Sequence, residues 1–213
     1  MIPVQGLARF TWATKPTIAN WPSYTPIILE DVGVGGSLWQ HDNVNWRPVG
    51  GQFLLCSYAG SPTNPVATLT GTTAAKFTLP GGDKPIPADL LIPDTSIITA
   101  EIRMRKTGAT ATVYGTIRVG TAAGTGDPIM GHEQLGVGTN SDQRLKVSGL
   151  VDTTTRMCLD QLMVDDSMVG GSGWLDTTTN INTAAAMYVT PQVHSGNAAD
   201  TYNLLGFEVV VKV

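Results

Sequence analysis

Between residues 97 and 120 the chain alternates with a period of two. Ile98, Ala100, Ile102 and Met104 are interleaved with Thr99, Glu101, Arg103 and Arg105, and Val113, Gly115, Ile117 and Val119 with Tyr114, Thr116 and Arg118. Successive side chains of a strand point to opposite faces, so the pattern predicts strands with one wet and one dry face. Thr107-Gly108-Ala109-Thr110 supplies a turn between the two runs. The expectation is a long antiparallel hairpin, with Ile102 and Ile117 in the core and Arg103 and Arg118 facing solvent or an interface. With 24 Gly and 13 Pro spread over 213 residues, long helices are disfavoured throughout.

Further strands are predicted at Gln52–Tyr58, Val66–Thr70, Ala75–Leu79, Arg144–Leu150, Thr155–Leu162 and Ala184–Thr190, the last stopped by Pro191. Pro85, Pro87 and Pro93 suit an edge or crossover around Ile86–Ile92, and residues 120–143 read as a long loop. Leu204–Val213 closes the chain as a strand, with Phe207, Val209, Val211 and Val213 on one face. About ten short strands separated by turn signals point to an all-β sandwich or barrel, with a jelly roll as the best fit. The sequence thus divides into an extended N-terminal arm (1–30), a small β-hairpin module (31–51) and a jelly-roll-like antiparallel β-sandwich (52–213).

The module, DVGVGGSLWQHDNVNWRPVGG, pairs a glycine turn at Gly35-Gly36 with a strand at Ser37-Leu38-Trp39 and a polar turn at His41-Asp42-Asn43. Trp39 and Trp46 supply most of its apolar surface. So small a unit leans on neighbours or on copies of itself. The arm carries Trp12, Trp21 and Tyr24 among Pro3, Pro16, Pro22 and Pro26, which makes it extended and rich in anchor residues. Two readings stand side by side: an arm laid across another surface, or a strand-like arm packed on its own domain.

The run Val32-Gly33-Val34-Gly35-Gly36-Ser37-Leu38-Trp39, followed by Trp46-Arg47-Pro48-Val49-Gly50-Gly51, resembles the small β-module of tailed-bacteriophage fibre and appendage proteins. Here His41-Asp42-Asn43-Val44 stands where those proteins more usually have a Ser-Asp-Gly turn. The resemblance implies a homotrimer built around a β-sandwich. It also implies a non-enzymatic place on the exterior of a virion, as a capsid decoration or head-fibre-type subunit. Trp12, Trp21, Tyr24, Trp39 and Trp46 would be the attachment or interface residues, and the partners would be the chain's own copies and capsid or other virion proteins. The motif carries no catalytic residue with it.

Charged residues make up only 14% of the chain, against about 25% in ordinary soluble domains. A net charge of −4 argues against nucleic-acid binding, and no run of 18 apolar residues predicts a membrane span. The N-terminus has neither a basic n-region nor an apolar h-region, so the expectation is synthesis in the host cytoplasm and assembly into a virion. Cys56 and Cys158 lie in apolar strand-like runs and read as buried free thiols, with a single bridge between them left open.

No catalytic pattern completes itself. His132-Glu133 is followed by Gln134-Leu135-Gly136 without a second histidine, and His41, His132 and His194 share no ligand spacing, so each reads as a loop side chain. Asp165-Asp166, flanked by Asp160 and Asp176, lacks calcium-loop spacing. GTAAGTG at 120–126 lacks the Lys-Ser/Thr of a phosphate loop, and Gly171-Ser172-Gly173 lacks the context of a nucleophile elbow. No metal or cofactor is expected. An alternative to the structural subunit is the receptor-binding tip of a tail fibre, with Trp174 and Tyr188 as a stacking surface for a host glycan. The sequence has no heptad-repeat shaft to project such a tip.

Overall fold

The computed structural model describes residues 7–71, 74–108, 113–135, 141–159, 174–176, 181–194 and 199–213. Its strands, in chain order, are β1 (Arg9–Phe10), β2 (Ile27–Leu29), β3 (Ser37–His41), β4 (Trp46–Pro48), β5 (Gln52–Ala59), β6 (Ala67–Thr70), β7 (Ala74–Lys76) and β8 (Pro85–Ile86). They continue with β9 (Ile97–Thr107), β10 (Val113–Gly120), β11 (Ile129–Leu135), β12 (Ser141–Thr153), β13 (Arg156–Leu159), β14 (Trp174–Asp176), β15 (Met187–His194) and β16 (Thr201–Lys212). A single 3₁₀ turn, Ile18–Asn20, is the only helical segment among the described residues.

The strands form three sheets. The largest runs β14-β13-β12-β9-β16-β5, with β6 continuing alongside β16 where β5 ends. The second runs β11-β10-β15-β7, with β8 also paired to β15. Taking β5, β7, β9, β10, β11, β12, β15 and β16 as first to eighth, one sheet reads first, eighth, third, sixth and the other second, seventh, fourth, fifth. That interleaving is the two-Greek-key jelly roll expected from the sequence.

Ile98, Ala100, Ile102 and Met104 of β9 are buried, as are Phe207, Val209 and Val211 of β16, so the period-two reading holds along both strands. Glycines on the smaller sheet let side chains of the larger one approach closely. A Cβ on Gly131 would lie 3.2 Å from the Val147 side chain. The dry face of β9 runs on to Lys106, which is buried with its Nζ 3.6 Å from the carboxylate of Asp200.

Three strand expectations need correction. First, β9 and β10 are not a hairpin: they lie in different sheets, and their dry faces look at each other across the core. Alternation fixes which side chains turn inward but not which neighbour a strand bonds to, so both arrangements give the same pattern. Second, the expected loop at 120–143 contains β11, whose Gly131, His132 and Glu133 disguise it. Third, β15 continues through Pro191. The Pro191 carbonyl accepts the Phe77 N–H, so the missing donor falls on that same side, in the gap between β7 and β8, where no ladder bond is lost.

The N-terminal sheet runs β1-β2-β3-β4, with β1 parallel to β2 and the other pairs antiparallel. The arm and the module are therefore one unit, not two. The strand before the glycine turn is Ile27–Leu29, and Val32–Gly36 is the turn itself. Gly36 takes φ 84°, and a Cβ there would lie 3.2 Å from the Leu29 carbonyl, so glycine is required on both counts. Asn43 takes φ 75° in the second turn, a left-handed conformation that Asn tolerates better than most residues.

Cys56 and Cys158 are both free, the first buried and the second half-buried. They sit on β5 and β13, with β16, β9 and β12 between, too far apart for a bridge.

Candidate attachment surface

The five aromatic anchors named from the sequence divide sharply. Trp39 is fully buried and Trp46 nearly so. Trp39 packs edge-on against Trp12 (5.5 Å between centroids) and at a tilt against Phe53 of β5 (5.4 Å), which joins the module to the sandwich. Trp21 packs edge-on against Phe10 at 5.7 Å, and Trp46 against His41 at 5.1 Å. Every indole N–H in this cluster has a partner in the chain. Trp12 donates to the Ala88 carbonyl (3.0 Å), Trp21 to Thr25 (3.1 Å), Trp46 to Pro16 (3.2 Å) and Trp39 to the Ser37 hydroxyl (2.8 Å). Lys15 caps the Trp12 ring with its Nζ 3.8 Å from the centroid.

Trp12, Trp21, Trp39 and Trp46 are thus the module's own core and its seam with the sandwich. The arm is packed on its own chain, with Trp39 and Trp46 buried and Trp12 and Trp21 half-buried against them. The physical reason is size: a four-stranded sheet of short strands has too little apolar surface to fold without them. His41, expected in a loop, lies in β3, buried, with Nε2 2.7 Å from the Trp21 carbonyl. Only Tyr24 of the five is open, 63% exposed.

A different surface remains uncovered. Among the described residues the exposed large apolar side chains are Leu7, Tyr24, Val34, Leu38, Val44, Val49 and Leu54, and every one lies between residues 7 and 54. Four of them are linked in two pairs by the backbone, and Tyr24 is tied to β3. The Val34 N–H donates to the Leu54 carbonyl (2.9 Å), Val49 to Leu38 (2.8 Å), and Tyr24 to His41 (3.1 Å), three residues before Val44. Leu38 follows from the strand period, since Trp39 points inward and its neighbour must point outward. A hollow of about 390 Å³ beside Val34 is lined by Glu30, Leu55, Tyr58, Pro80 and Lys84. A second, of about 210 Å³, opens beside Val44 between Trp12, Lys15, Trp46 and Asp89.

The polar turn between β3 and β4 is rigidly held. Asp42 accepts the Asn45 N–H (2.8 Å), the Arg47 Nε–H (2.7 Å) and the Val44 N–H (3.0 Å). Those bonds, in that order of effect, hold its carboxyl down to about 2. Val44, 72% exposed, is displayed at the tip of this turn.

The proposed glycan pair is not brought together on one sheet. Tyr188 is half-buried on β15, opposite Gly120 and Pro85. Trp174 begins β14 at the edge of the larger sheet, and its side chain lies outside the described residues. Asp160, Asp165, Asp166 and the Gly170–Gly173 segment also lie outside them.

His132 and His194, both expected in loops, sit in β11 and β15 on the outer face of the smaller sheet. His132 lies under Tyr114 (5.0 Å between rings), and burial, then the nearby His194, lowers its pKa. Residues 121–128 strap this face, with Gln192 Nε2 donating to the Gly124 carbonyl (3.0 Å) and Arg118 to the Asp127 carbonyl. Among the described residues no group of three or more His, Cys, Asp or Glu is placed to hold a metal ion. No described helix is long and apolar enough to cross a membrane.

The apolar surface was missed in the sequence because attention went to the largest side chains. The available signal was an apolar residue at both parities, as in Leu38-Trp39 and Phe53-Leu54-Leu55, where one of each pair must face out. Compared with protein-family models and with curated protein sequences, the chain matches none.

Proposed function

We propose that this chain is a non-enzymatic structural protein on the exterior of a tailed-phage virion, a trimeric capsid-decoration or head-fibre-type subunit. It joins the particle through its N-terminal module. The observation that carries this reading is the confinement of the large exposed apolar side chains among the described residues to 7–54, six in the N-terminal module and the seventh, Leu54, on β5, the sandwich strand that adjoins it. Apolar side chains gathered on one part of a surface mark a site of association. The likeness of residues 32–51 to phage appendage modules supplies the kind of partner. The role given to the arm passes to the whole module, with Tyr24, Val34, Leu38, Val44 and Val49 as contact residues in place of the tryptophans.

The test is reconstitution. Particles lacking the protein are mixed with the wild-type chain or with a Leu38→Asp/Val49→Asp variant, then sedimented. The wild type is expected to co-sediment and the variant to stay in the supernatant with its fold intact. Equal co-sedimentation would move attachment to the sandwich. Light scattering giving a stable monomer at micromolar concentration would remove the trimer.

A further inference from the structure

We propose that the free edge of β5 receives an extended segment of the partner protein on the particle, which joins the larger sheet as one more strand beside Ser57. The proposal rests on the attachment reading and names the part of the partner that is held.

β5 ends the larger sheet and pairs with β16 on one side only. The direction of its backbone groups follows from two bonds. The Gly60 N–H donates inward to the Leu205 carbonyl (2.8 Å), so alternation turns Tyr58 toward β16 and the Ser57 N–H and C=O outward. The Leu54 carbonyl also points outward, where it accepts the Val34 N–H (2.9 Å) of the module. Between them Leu55 is the extra residue of a bulge, since Cys56 pairs with Val209 and Leu54 with Val210. The module thus begins an extension of the sheet at Leu54. Beyond the bulge Ser57 is exposed, and its outward backbone groups have no partner among the described residues.

The space beside this edge is the hollow of about 390 Å³. Four consecutive residues of β5, Leu55 to Tyr58, line it. Consecutive residues face opposite sides of a sheet, so the hollow lies off the edge of the strand and not over either face. The module adds Glu30 and Val34 to the lining, and the loop after β7 adds Pro80 and Lys84. Open edges recruit further strands, and proteins commonly disarm them with proline or charge. Gln52–Ala59 contains neither. In strand addition the main-chain bonds supply affinity and the flanking contacts supply selectivity. Val34 and Pro80, both exposed, offer apolar contact to the added strand. Lys84 is exposed and forms no ion pair among the described residues, so the matching segment carries an acidic side chain there. Val34 and Leu54 belong to the exposed apolar surface of the module and its seam, so the edge is continuous with the attachment surface and meets the same partner.

The test uses the full chain, particles lacking the protein, and hydrogen–deuterium exchange read by mass spectrometry. On particles, exchange at the Ser57 amide is expected to slow about tenfold or more relative to the free chain. Ser57→Pro removes the outward N–H at an edge position where proline is tolerated, and should weaken co-sedimentation about tenfold with the fold intact. Ser57→Ala keeps the N–H and should co-sediment like the wild type. Lys84→Glu, at an exposed position, should also weaken co-sedimentation and gives the reading if the proline variant fails to fold. Attachment of the wild type with unchanged exchange at Ser57 overturns this proposal and leaves attachment through Leu38 and Val49 standing. Undiminished co-sedimentation of the folded variants does the same. No attachment of the wild type overturns both. Protection at Ser57 that appears without particles and grows with protein concentration overturns it in favour of pairing between copies of the chain.

Discussion

Gly115 of β10 lies directly beneath Met104 of β9, so closely that a Cβ on the glycine would fall 2.0 Å from the methionine methyl. The two strands belong to opposite sheets, and the methionine methyl fills the space a side chain on the glycine would take. Gly115→Ala is expected to destabilise the protein by about 1–3 kcal/mol through overpacking. In a Met104→Ala background the same change should cost much less, because the space has been vacated. A double-mutant cycle by urea denaturation measures the coupling. Additive effects would place the strands farther apart than described here.

Trp39 and Leu38 are neighbours with opposite duties. Trp39→Ala should cost about 3–5 kcal/mol, since it removes the fully buried centre of the module. Leu38→Asp should change stability by less than about 0.5 kcal/mol, as surface substitutions do, yet abolish co-sedimentation with particles. Deleting residues 2–25 should behave like Trp39→Ala, because it takes Trp12 and Trp21 out of the same cluster. Loss of the module's near-ultraviolet circular dichroism with retention of the sandwich signal is the measurement.

Ile102→Ala should cost about 2–5 kcal/mol, and Arg103→Ala next to nothing, by the same urea measurement. Similar effects at the two positions would mean that the strand is one residue out of register.

Asp42 and His132 contribute to the acid side of stability, alongside Glu101 and Asp142, whose pKa values are lowered by hydrogen bonds from Arg144 and Arg105. Asp42 titrates at about 2 in the folded chain against 3.8 as its ordinary value. Its contribution is therefore complete above pH 3.8 and lost as pH falls through about 2. Asp42→Asn should remove that dependence and loosen the turn that displays Val44. His132 is lowered from 6.5, so the unfolded chain takes up its proton first. Stability from this group is complete above pH 6.5 and declines below it, and His132→Gln should flatten the fall in melting temperature between pH 6.5 and 5.

Burial pushes the Cys56 thiol up to about 12, so it carries almost no thiolate at pH 8. Iodoacetamide should label half-buried Cys158 first and reach Cys56 only on unfolding. Rapid labelling of both in the native protein would show that β5 opens readily.

Much of the fold was legible because strand alternation is a local property. Ile98 to Met104 and Phe207 to Val211 declared their buried face without reference to anything else. Partnership between strands is not local, which is why β9 and β10 looked like a hairpin and proved to be opposite walls. Lys106 shows the limit of polarity as a guide: a lysine at an inward position is buried when Asp200 is there to meet it. Trp39 and Trp46, expected at an interface, are buried within the chain for a related reason. A large aromatic on a Pro-rich segment looks like an anchor for something else until the strands that cover it are known. Val34, Leu38 and Val49, each unremarkable alone, gain meaning only once the fold sets them on one unit.

The placement of β16 has a kinetic consequence. It follows every other described strand in the sequence, yet it fills the slot between β9 and β5 and bonds to both along its length. Until it arrives, the inner strand β9 and the edge strand β5 present open hydrogen-bonding edges and bare apolar faces. Nearly all their stabilising contacts span large separations along the chain, a topology that folds slowly. A partly synthesised chain is therefore the most aggregation-prone form this protein passes through. Supplying β16 in trans as a synthetic peptide should rescue a chain lacking it, by occupying the vacant slot.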